Sequence, residues 1–483
     1  MNEGQKNISE LINPPSRDEG LSSVYFIGIG GIGMSALARY FNEQGAKVYG
    51  YDKTPTTLTS ELEEAGMQIH YEENVNAIPK NVQLVVYTPA IPKEHAELIF
   101  FKENNYPLYK RSEVLDAVTN SSFNICVAGT HGKTTITTMI AHILRHTGYG
   151  CNAFLGGIAV NYNSNFWSSK RNVCVAEADE YDRSFLRLTP NIAVITAMDA
   201  DHLDIYGTAE AMEEAFIEFT EKIKDDGLLI SKFGLKRGKE LKASKHLTYS
   251  QQNESADVYA TNIRMKNGSY EFDVMMRDWM LDNAELNMGG MHNVENSVVA
   301  IAVAHHLGIE SDKIKDAVKA FKGVKRRFEY IIPPSPLGKA GMGPIYVDDY
   351  AHHPEELRAL ISGAKSLFRG KKCTVIFQPH LYTRTRDLAE GFAESLDLAD
   401  EIILLPIYPA RELPIKGVSS EMILERMKNE NKQILSKAEV LDWIKKNIIG
   451  GDTNNGGELV ITAGAGDIDT LIEPIAASLR GLR

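Results

Sequence analysis

Residues 129–135, with the sequence Gly-Thr-His-Gly-Lys-Thr-Thr, constrain the fold more than any other segment of this chain. They follow the short apolar run 125–128 and precede an amphipathic stretch that is typical of a helix. A strand, a glycine turn and a helix in this order form a phosphate-binding loop, in which backbone N–H groups surround the phosphates. We expect Lys133 to reach the terminal phosphates and the Thr134 hydroxyl to ligate Mg²⁺. The alternative, a glycine turn capped only by threonine, fits this sequence less well.

A second glycine loop, Gly-Ile-Gly-Gly-Ile-Gly, occupies residues 28–33 directly after another apolar run. Asp52 lies nineteen residues beyond Gly33, at the end of the next apolar run. Glycines let a phosphate approach the backbone, and the N-terminus of the following helix favours negative charge. The pattern is typical of a dinucleotide-binding Rossmann unit, although any diphosphate would fit. The alternative is that the glycines serve only a tight turn from strand to helix.

Acidic residues follow two further predicted strands, at 177–180 and at 199–204. Because ligands collect at the carboxyl ends of parallel strands, Glu177 and His202 are candidates to complete a Mg²⁺ site beside Thr134. On its own, His202 fits a solvated loop or a capping residue equally well. The nearby phosphate-binding loop is what favours the metal site.

Short apolar runs alternate with amphipathic segments along most of the chain, which predicts an α/β fold with mostly parallel sheets covered by helices. The strand candidates are 24–28, 47–51, 84–87, 125–128, 173–177, 192–196, 345–348, 373–377, 401–405 and 459–462. A polar stretch at 119–122 and a Pro/Gly-rich stretch at 333–343 predict three domains. Their expected bounds are 1–121, 122–332 and 333–483, with the strand-rich region 257–286 as an elaboration of the middle domain.

Charge and composition exclude several classes of protein. The net charge is −12, from 52 basic and 64 acidic side chains, with no strongly basic block. Nucleic acid is therefore not expected as a partner, because phosphate backbones require clustered Lys and Arg. The four cysteines lie far apart without a C-x-x-C pair, which argues against a disulfide scaffold or a zinc ribbon. Residues 1–22 lack an apolar signal region, and we expect a cytoplasmic protein without a membrane span.

Two phosphate loops in one chain indicate ATP-driven chemistry on a substrate that itself carries a nucleotide diphosphate. A nicotinamide oxidoreductase would explain residues 28–33 and Asp52 but would leave 129–135 without a role. A nucleotide-gated regulatory protein would explain 129–135 but not the histidine and arginine segments near the C-terminus. Both remain alternatives on the residues alone.

Eight segments, in order, resemble those of one family. They are Gly-Ile-Gly-Gly-Ile-Gly-Met-Ser at 28–35, the loop 129–135, Glu-Ala-Asp-Glu at 177–180, Asp-His-Leu-Asp at 201–204, Gly-Met-His-Asn-Val-Glu-Asn at 290–296, Arg-Arg-Phe-Glu at 326–329, Asp-Asp-Tyr-Ala-His-His-Pro at 348–354, and Gln-Pro-His-Leu-Tyr-Thr-Arg-Thr at 378–385. From about residue 24 onward the chain resembles the Mur ligases, the ATP-dependent amino-acid ligases of peptidoglycan synthesis. Among these it is most similar to the ligases that add L-alanine to UDP-N-acetylmuramate.

The resemblance implies a role for each domain. The first would be a Rossmann-like domain for the UDP-sugar, the second a P-loop domain for ATP and Mg²⁺, and the third a Rossmann-like domain that binds the amino acid and closes. The implied reaction joins L-alanine to the lactyl carboxylate of UDP-N-acetylmuramate through an acyl phosphate, giving ADP and phosphate. Whether the chain acts as a monomer or a homodimer stays open.

The resemblance also implies the site residues. For ATP they are Gly129, Thr130, His131, Gly132, Lys133, Thr134, Thr135, His292, Asn293, Asn296 and Arg327. For the UDP-substrate they are Gly28, Gly30, Gly31, Gly33, Asp52 and Arg111; for the metal, Thr134, Glu177 and His202. The catalytic set is Lys133, His202, His352, His353 and Arg384. The acceptor of the amine proton is left open among His352, His353 and Asp349.

Structural alternatives exist for several of these residues. His352 and His353 fit a helix N-terminus with Pro354 in its first turn. His292, Asn296 and the pair of arginines at 326–327 fit ordinary polar surface positions.

Two positions depart from the family pattern. Ala197 follows Thr196 where the family has asparagine, so any polar contact of that side chain is absent or replaced. Leu381 stands where the family has arginine. If that arginine holds the incoming carboxylate, then Arg384, Arg386 or another group must take its place.

Overall fold

The computed structural model describes residues 8–12, 20–181, 183–199, 203–266, 268–334, 343–410, 412–449 and 457–481, with the side chains of 203 and 204 left out. These residues form a three-domain α/β fold built on three sheets. By compactness the chain divides into two units. The first unit takes residues 1–260, 274–281 and 295–318, and the second takes 261–273, 282–294 and 319–483.

The first sheet is parallel and has five strands in the order β3-β2-β1-β4-β5. Its strands are β1 (Ser23–Ile27), β2 (Lys47–Tyr51), β3 (Gln68–His70), β4 (Leu84–Tyr87) and β5 (Leu108–Lys110). The helices of this region are α1 (Ile8–Ile12), α2 (Ile32–Glu43), α3 (Thr57–Glu64), α4 (Ala96–Glu103) and α5 (Arg111–Asn120). Every residue of β1 is buried, as expected for a central strand of a covered parallel sheet.

The second sheet has ten strands in the order β15-β14-β13-β12-β11-β10-β6-β9-β7-β8. Its strands are β6 (Phe123–Ala128), β7 (Asn152–Ala159), β8 (Ser164–Trp167), β9 (Val173–Glu177), β10 (Ile192–Ile195), β11 (Leu228–Lys232), β12 (Lys245–Ser250), β13 (Val258–Lys266), β14 (Ser269–Met276) and β15 (Trp279–Leu286). Strands β12-β11-β10-β6-β9-β7 pair in parallel, and β8 is antiparallel to β7. The helices that follow in this region are α6 (Lys133–His146), α7 (Leu203–Tyr206), α8 (Ala209–Thr220), α9 (Met291–His306) and α10 (Ser311–Ala320).

The third sheet has six strands in the order β16-β17-β21-β18-β19-β20, and all its pairs are parallel except β16 with β17. Its strands are β16 (Glu329–Ile332), β17 (Ile345–Asp349), β18 (Lys372–Phe377), β19 (Glu401–Leu404), β20 (Lys432–Ile434) and β21 (Glu458–Ala463). The helices here are α11 (Pro354–Leu367), α12 (Tyr382–Leu396), α13 (Glu421–Leu424), α14 (Lys437–Ile444) and α15 (Ile472–Arg480).

The ten strands predicted from apolar runs are all present, and three of them, β2, β4 and β9, have the predicted bounds. The α/β prediction is thereby confirmed. The strand-rich region 257–286 contains β13, β14 and β15. The predicted domain bounds remain predictions. Among the helices in the described part of the chain, none is both long and apolar enough to cross a membrane.

Candidate functional site

The loop 129–135 connects the end of β6 to the start of α6, as the sequence predicts. Two glycines make the turn possible, because Gly129 has a φ of +124° and Gly132 a φ of +79°. A Cβ at Gly129 would lie 2.1 Å from Oγ1 of Thr196 on the neighbouring chain segment. Any side chain at Gly129 would therefore push the loop off the sheet. The N–H groups of the first turn of α6 have no partner within the helix, so they are available to an anion.

Lys133, the first residue of α6, lies between two oxygens. Its Nζ donates to Oε1 of Glu180 at 2.6 Å and to the backbone oxygen of Gly129 at 2.7 Å. Glu180 is only 1% exposed, and its second carboxylate oxygen, Oε2, is buried without a hydrogen-bond partner. Burial raises the pKa of Glu180 above its ordinary value, and the charge of Lys133 offsets part of that rise. The sequence prediction identified Lys133 but assigned no role to Glu180, which lies three residues beyond the end of β9.

Hydrogen bonds hold the loop 129–135 in place even though Ala197 stands where the family has asparagine. Thr196 donates its hydroxyl to the backbone oxygen of His131, and the Thr130 N–H donates to the backbone oxygen of Ala197 at 3.3 Å. The Asp199 N–H in turn donates to Oγ1 of Thr130 at 3.3 Å. These contacts use a hydroxyl and backbone atoms, so they do not need the asparagine side chain that the family has at this position.

Glu177 ends β9 next to the phosphate-binding loop. Its Oε1 accepts a hydrogen bond from the Gly156 N–H at 2.8 Å. Burial raises the pKa of Glu177, while that N–H, Lys133 and the Thr134 hydroxyl each lower it. A desolvated carboxylate bonded to the Thr134 hydroxyl is a pair of oxygen donors that suits Mg²⁺. Glu177 and Thr134 therefore lie together, as the sequence predicts.

The third predicted metal ligand, His202, lies outside the described residues, as does Asp201. Within the part of the chain that the structure describes, no group of three or more His, Cys, Asp or Glu side chains forms a metal cluster. Of the three predicted metal ligands, the structure therefore describes Thr134 and Glu177, and the metal site itself remains a prediction.

The first glycine loop, residues 28–33, connects β1 to α2, and its own amides are largely used by the protein. The N–H groups of Gly28 and Ile29 donate to the backbone oxygen of Tyr51 at 2.8 and 3.0 Å. The Gly30 N–H donates to Oδ2 of Asp52 at 2.7 Å. An anion at this loop would therefore meet the N–H groups at the start of α2, where helix geometry leaves them unpaired.

Asp52 and Arg111 lie so close to two of the glycines that a side chain at either position would clash with them. A Cβ at Gly30 would lie 2.8 Å from Oδ2 of Asp52, and a Cβ at Gly33 would lie 2.9 Å from Nη1 of Arg111. Gly30 thus makes room for a carboxylate and Gly33 for a guanidinium. Nη2 of Arg111 lies 3.6 Å from Oδ2 of Asp179, in the acidic segment after β9. The structure brings together Gly28, Gly30, Gly31, Gly33, Asp52 and Arg111, which are the predicted UDP-substrate residues.

Residues 292–296 lie in the first turns of α9. In the first unit, Oδ1 of Asn296 is 3.2 Å from the position of a Cβ at Gly132, so Asn296 lies beside the phosphate-binding loop. In the second unit, Nδ2 of Asn293 donates to the backbone oxygen of Gly289 at 2.7 Å, and the His292 ring packs over Gly290. Asn293 therefore fixes the entry to the helix.

The end of β17 in the second unit carries a cluster of half-buried polar groups. Asp349 accepts hydrogen bonds from the N–H groups of Phe328 and Ala351, at 2.6 and 2.7 Å. Nδ1 of His352 donates to the backbone oxygen of Tyr350 at 2.9 Å, which leaves Nε2 as the basic nitrogen. Burial lowers the pKa of His352, although the carboxylate of Glu356 opposes this. A neutral His352 at pH 7 suits a proton acceptor.

His353 and its neighbours shape the start of α11. The N–H groups of His352 and His353 both donate to Oε2 of Glu356, at 2.9 and 3.2 Å, and Pro354 is the first residue of the helix. This is the helix N-terminus that the sequence allowed as an alternative. It coexists with the half-buried imidazole of His352.

Rings and guanidinium groups surround His352. The centroid of its ring lies 6.2 Å from that of His380, and the ring of His380 stacks on Tyr408 at an angle of 14°. Nη1 of Arg384 lies 3.4 Å from Nδ1 of His380. Both Arg326 and Arg327 lie over the ring of Tyr350, at 5.3 and 5.5 Å from its centroid. The sequence prediction named His352, Arg384 and Arg327 but not Tyr350, His380 or Tyr408 as a cluster.

Leu381, the second position that departs from the family pattern, has an unusual backbone conformation. Its φ of +70° is rare for a branched side chain and marks local strain. The Leu381 N–H donates to the backbone oxygen of Tyr408 at 3.0 Å, and its own oxygen accepts from the Thr385 N–H at 3.1 Å. The backbone of this position is therefore fixed from both sides, and Arg384 supplies a cation one turn further along α12.

Comparison with known proteins agrees with this architecture. Three sequence profiles match in order: the Mur ligase family catalytic domain at residues 23–122, the Mur ligase middle domain at 127–304, and the Mur ligase glutamate ligase domain at 326–466.

Full-length relatives extend the match. A UDP-N-acetylmuramate–L-alanine ligase of Flavobacterium johnsoniae is 46% identical over 463 residues, which cover 95% of this chain and 98% of the relative. One from Parabacteroides distasonis is 47% identical over 462 residues, covering 94% and 96%. The crystal structure of the UDP-N-acetylmuramate–alanine ligase MurC from Thermotoga maritima superposes with a TM-score of 0.79 at 27% identity, over 95% of this chain and all of that one. The chain therefore belongs to the Mur ligase family.

Proposed function

We propose that this chain joins L-alanine to the lactyl carboxylate of UDP-N-acetylmuramate, with ATP as the energy source, in peptidoglycan synthesis. The relatives that are 46–47% identical over nearly their whole length carry this activity in their names. The observation that carries the proposal is the presence, in one compact unit, of two glycine loops that have different charged side chains beside them. One loop has a lysine and buried carboxylates for a nucleoside triphosphate, and the other has Arg111 for a diphosphate.

The first half of the reaction moves the γ-phosphoryl group of ATP to the lactyl carboxylate, giving an acyl phosphate and ADP. Phosphoryl transfer depends mainly on positioning and on neutralisation of charge. Lys133 is already desolvated and held at 2.6 Å by Glu180, so a phosphate oxygen would replace that carboxylate rather than water. The raised pKa of Glu180 makes this exchange easier, because the carboxylate that Lys133 leaves behind can take up a proton.

Mg²⁺ belongs to this proposal, with the Thr134 hydroxyl and the Glu177 carboxylate as its described ligands. When bound, the metal neutralises the charge of the phosphates. The raised pKa of Glu177 reflects a desolvated carboxylate that a cation would stabilise in its ionised form. His202 stays a predicted third ligand.

The second half of the reaction needs an unprotonated amine. The nitrogen of alanine attacks the acyl carbon, phosphate leaves, and the amine proton passes to a base. We assign this role to His352, because its Nδ1 is already bound to the Tyr350 oxygen and its pKa is lowered by burial. Asp349 is a weaker candidate, because both its carboxylate oxygens already accept backbone N–H groups.

The carboxylate of alanine requires a cation in place of the arginine that Leu381 replaces. We assign Arg384 to it, since Arg384 lies beside His380 in the same cluster as His352. Closure of the third domain to complete the ATP and amino-acid sites, the cytoplasmic location and the oligomeric state remain predictions.

Phosphate release, measured with a coupled assay, tests the function. Release is expected only when ATP, UDP-N-acetylmuramate and L-alanine are all present. Release without the UDP-sugar and the amino acid would indicate a plain NTPase, and no release with all three would contradict the ligase. Binding of NADH, measured by its fluorescence, would instead favour the oxidoreductase. The same assay with glycine and L-serine tests how strictly the site around Leu381 and Arg384 selects alanine.

A further inference from the structure

Two links join the region of the first glycine loop to the middle domain, and they differ in kind. The first is Asn165 of β8, which is fully buried and donates from Nδ2 to the Ile32 oxygen at 2.6 Å and to Oγ of Ser35 at 2.8 Å. The second is the ion pair of Arg111 with Asp179, at 3.6 Å, in which the Asp179 side chain is 44% exposed. Asn165 is a fixed contact at the start of α2, whereas the ion pair is long and partly solvated.

Arg111 is placed where a diphosphate would meet it. Its guanidinium lies against Gly33, within 2.9 Å of the position of a Cβ there, beside the first turn of α2. The first-turn N–H groups of a helix attract phosphates, and a guanidinium beside them adds paired donors. Arg111 cannot serve a diphosphate fully while it is paired with a carboxylate.

Asp179 is the other partner of that pair, and it lies between Glu177 and Glu180 in the acidic segment at the end of β9. It follows Glu177 after one intervening residue and directly precedes Glu180, and its Oδ1 accepts the Tyr181 N–H at 3.2 Å. Burial is the main cause of the raised pKa values of Glu177 and Glu180, but the charge of Asp179 adds to both. The charge of Asp179 is therefore felt at both carboxylates of the ATP site.

We propose that Arg111 exchanges partners, leaving Asp179 for the diphosphate of the UDP-substrate, and that the freed Asp179 carboxylate then strengthens the hold of the ATP site on its divalent cation. This rests on the proposed function, since it takes the UDP-sugar as the ligand of the first loop. Asp179 acts here as a positioning residue that competes with the substrate for Arg111. By thermodynamic linkage, the cation then strengthens UDP-substrate binding by the same factor.

Asp179→Asn tests the exchange, because asparagine keeps the Oδ1 acceptor for Tyr181 but removes the charge. Isothermal titration calorimetry of the full chain with UDP-N-acetylmuramate is expected to show binding about two- to fivefold tighter than in the unsubstituted chain, the range of a partly exposed ion pair. A gain in affinity is informative, because a merely structural defect would weaken binding.

Arg187→Gln is the matched control. Arg187 pairs with Glu113 of α5 at 3.5 Å, so this substitution removes an ion pair of similar length from the same helix, away from the glycine loop. UDP-N-acetylmuramate affinity is expected to stay unchanged in this variant.

Coupling to the cation is measured with Mn²⁺ and a non-hydrolysable ATP analogue, by the signal of free Mn²⁺ in electron paramagnetic resonance. In the unsubstituted chain, UDP-N-acetylmuramate is expected to tighten Mn²⁺ binding about two- to fivefold. In Asp179→Asn it is expected to have no effect. Coupling that persists in the variant would overturn the link to the metal site.

The outcomes separate the two proposals. If the unsubstituted chain binds UDP-N-acetylmuramate but Asp179→Asn binds it equally or more weakly, the exchange is wrong and the ligase function stands. If the unsubstituted chain binds no UDP-N-acetylmuramate, both the proposed function and the exchange are wrong.

Discussion

The two glycine loops of this chain share a local design but differ in the group that holds them. Both follow a buried parallel strand and open a helix, and each is held by one carboxylate. In the first, Asp52 accepts the Gly30 backbone N–H at 2.7 Å; in the second, Glu180 accepts the Lys133 side chain at 2.6 Å. The first contact shapes the turn itself, whereas the second occupies a side-chain cation that a phosphate could bind instead.

A glycine pattern therefore specifies a turn, but it does not specify which charged side chains lie beside that turn. The neighbouring segments supply the rest: Asp52 and Arg111 at the first loop, and Thr196 and Glu180 at the second. We therefore expect the first loop to respond to substitution mainly through substrate binding. The second loop should respond mainly through the rate of reaction.

Lys133→Ala is expected to have the largest effect. Removal of one preorganised charge-stabilising group costs about 2.7–4 kcal/mol, or roughly 10²–10³ in rate. ADP release should fall by that factor, while the affinity for UDP-N-acetylmuramate at the first loop should change little. Steady-state assays and calorimetry measure the two quantities separately.

Lys236→Ala is the control for that prediction. Lys236 forms a similar pair with the buried Glu213 of α8 at 3.0 Å, in the same unit and outside both loops, so its loss should leave the rate unchanged. If Lys133→Ala kept activity within a few-fold of the unsubstituted chain, Lys133 would have no part in phosphoryl transfer.

The helices behind the loops should differ in their response to acid. On α6, Nε2 of His142 donates to the Ala317 oxygen and Nδ1 accepts from the Tyr162 hydroxyl, both at 2.9 Å, so the ring is neutral. Burial lowers its pKa to about 4. Because the folded pKa lies below the unfolded value of about 6.5, the stabilisation is complete above pH 6.5 and is lost as the pH falls towards 4. The loss amounts to at most about 3 kcal/mol of the free energy of unfolding, at ~1.4 kcal/mol per pKa unit.

His142→Gln should flatten this part of the stability curve, measured by urea unfolding between pH 4 and 7. Asn165→Ala is the comparison on the first loop's side. It removes the buried amide that holds the first turn of α2, and should lower the free energy of unfolding by about 1–3 kcal/mol at every pH, because neither the amide nor its partners, the Ile32 oxygen and the Ser35 hydroxyl, titrates in this range. An unchanged acid slope in His142→Gln would show that other groups cause it.

Much of the fold follows from the sequence for a simple reason. Strands such as β2 and β9 are short apolar runs bounded by polar residues, and buried parallel strands require that pattern. Both glycine loops follow for the same reason, since each pattern depends on residues adjacent in the chain.

Contacts between distant segments could not be predicted in this way. The pairing of Lys133 with Glu180 spans 47 residues, and the hold of Asn165 on Ile32 spans 133. Both depend on strand order, which periodicity does not determine. The cluster around His352 likewise joins three loops of the third sheet, and no spacing in the sequence links Tyr350 to Tyr408.

Gly30→Ala is expected to have a smaller effect than Lys133→Ala, and it sharpens the comparison most. The added Cβ would lie 2.8 Å from Oδ2 of Asp52, so the carboxylate must move and its bond to the Gly30 N–H weakens. We expect the KM for UDP-N-acetylmuramate to rise about tenfold, or ~1.4 kcal/mol, with little change in kcat.

Gly31→Ala should cost less, because the added Cβ would lie 3.5 Å from the nearest atom, and Gly31 has an ordinary φ of −64°. If Gly30→Ala lowered kcat as strongly as Lys133→Ala does, the first loop would take part in the chemical step. The contrast between a loop that binds and a loop that reacts would then fail. If only KM rises, then Asp52 acts by holding the turn in the shape that the diphosphate needs, and the carboxylates of the two loops have separate roles.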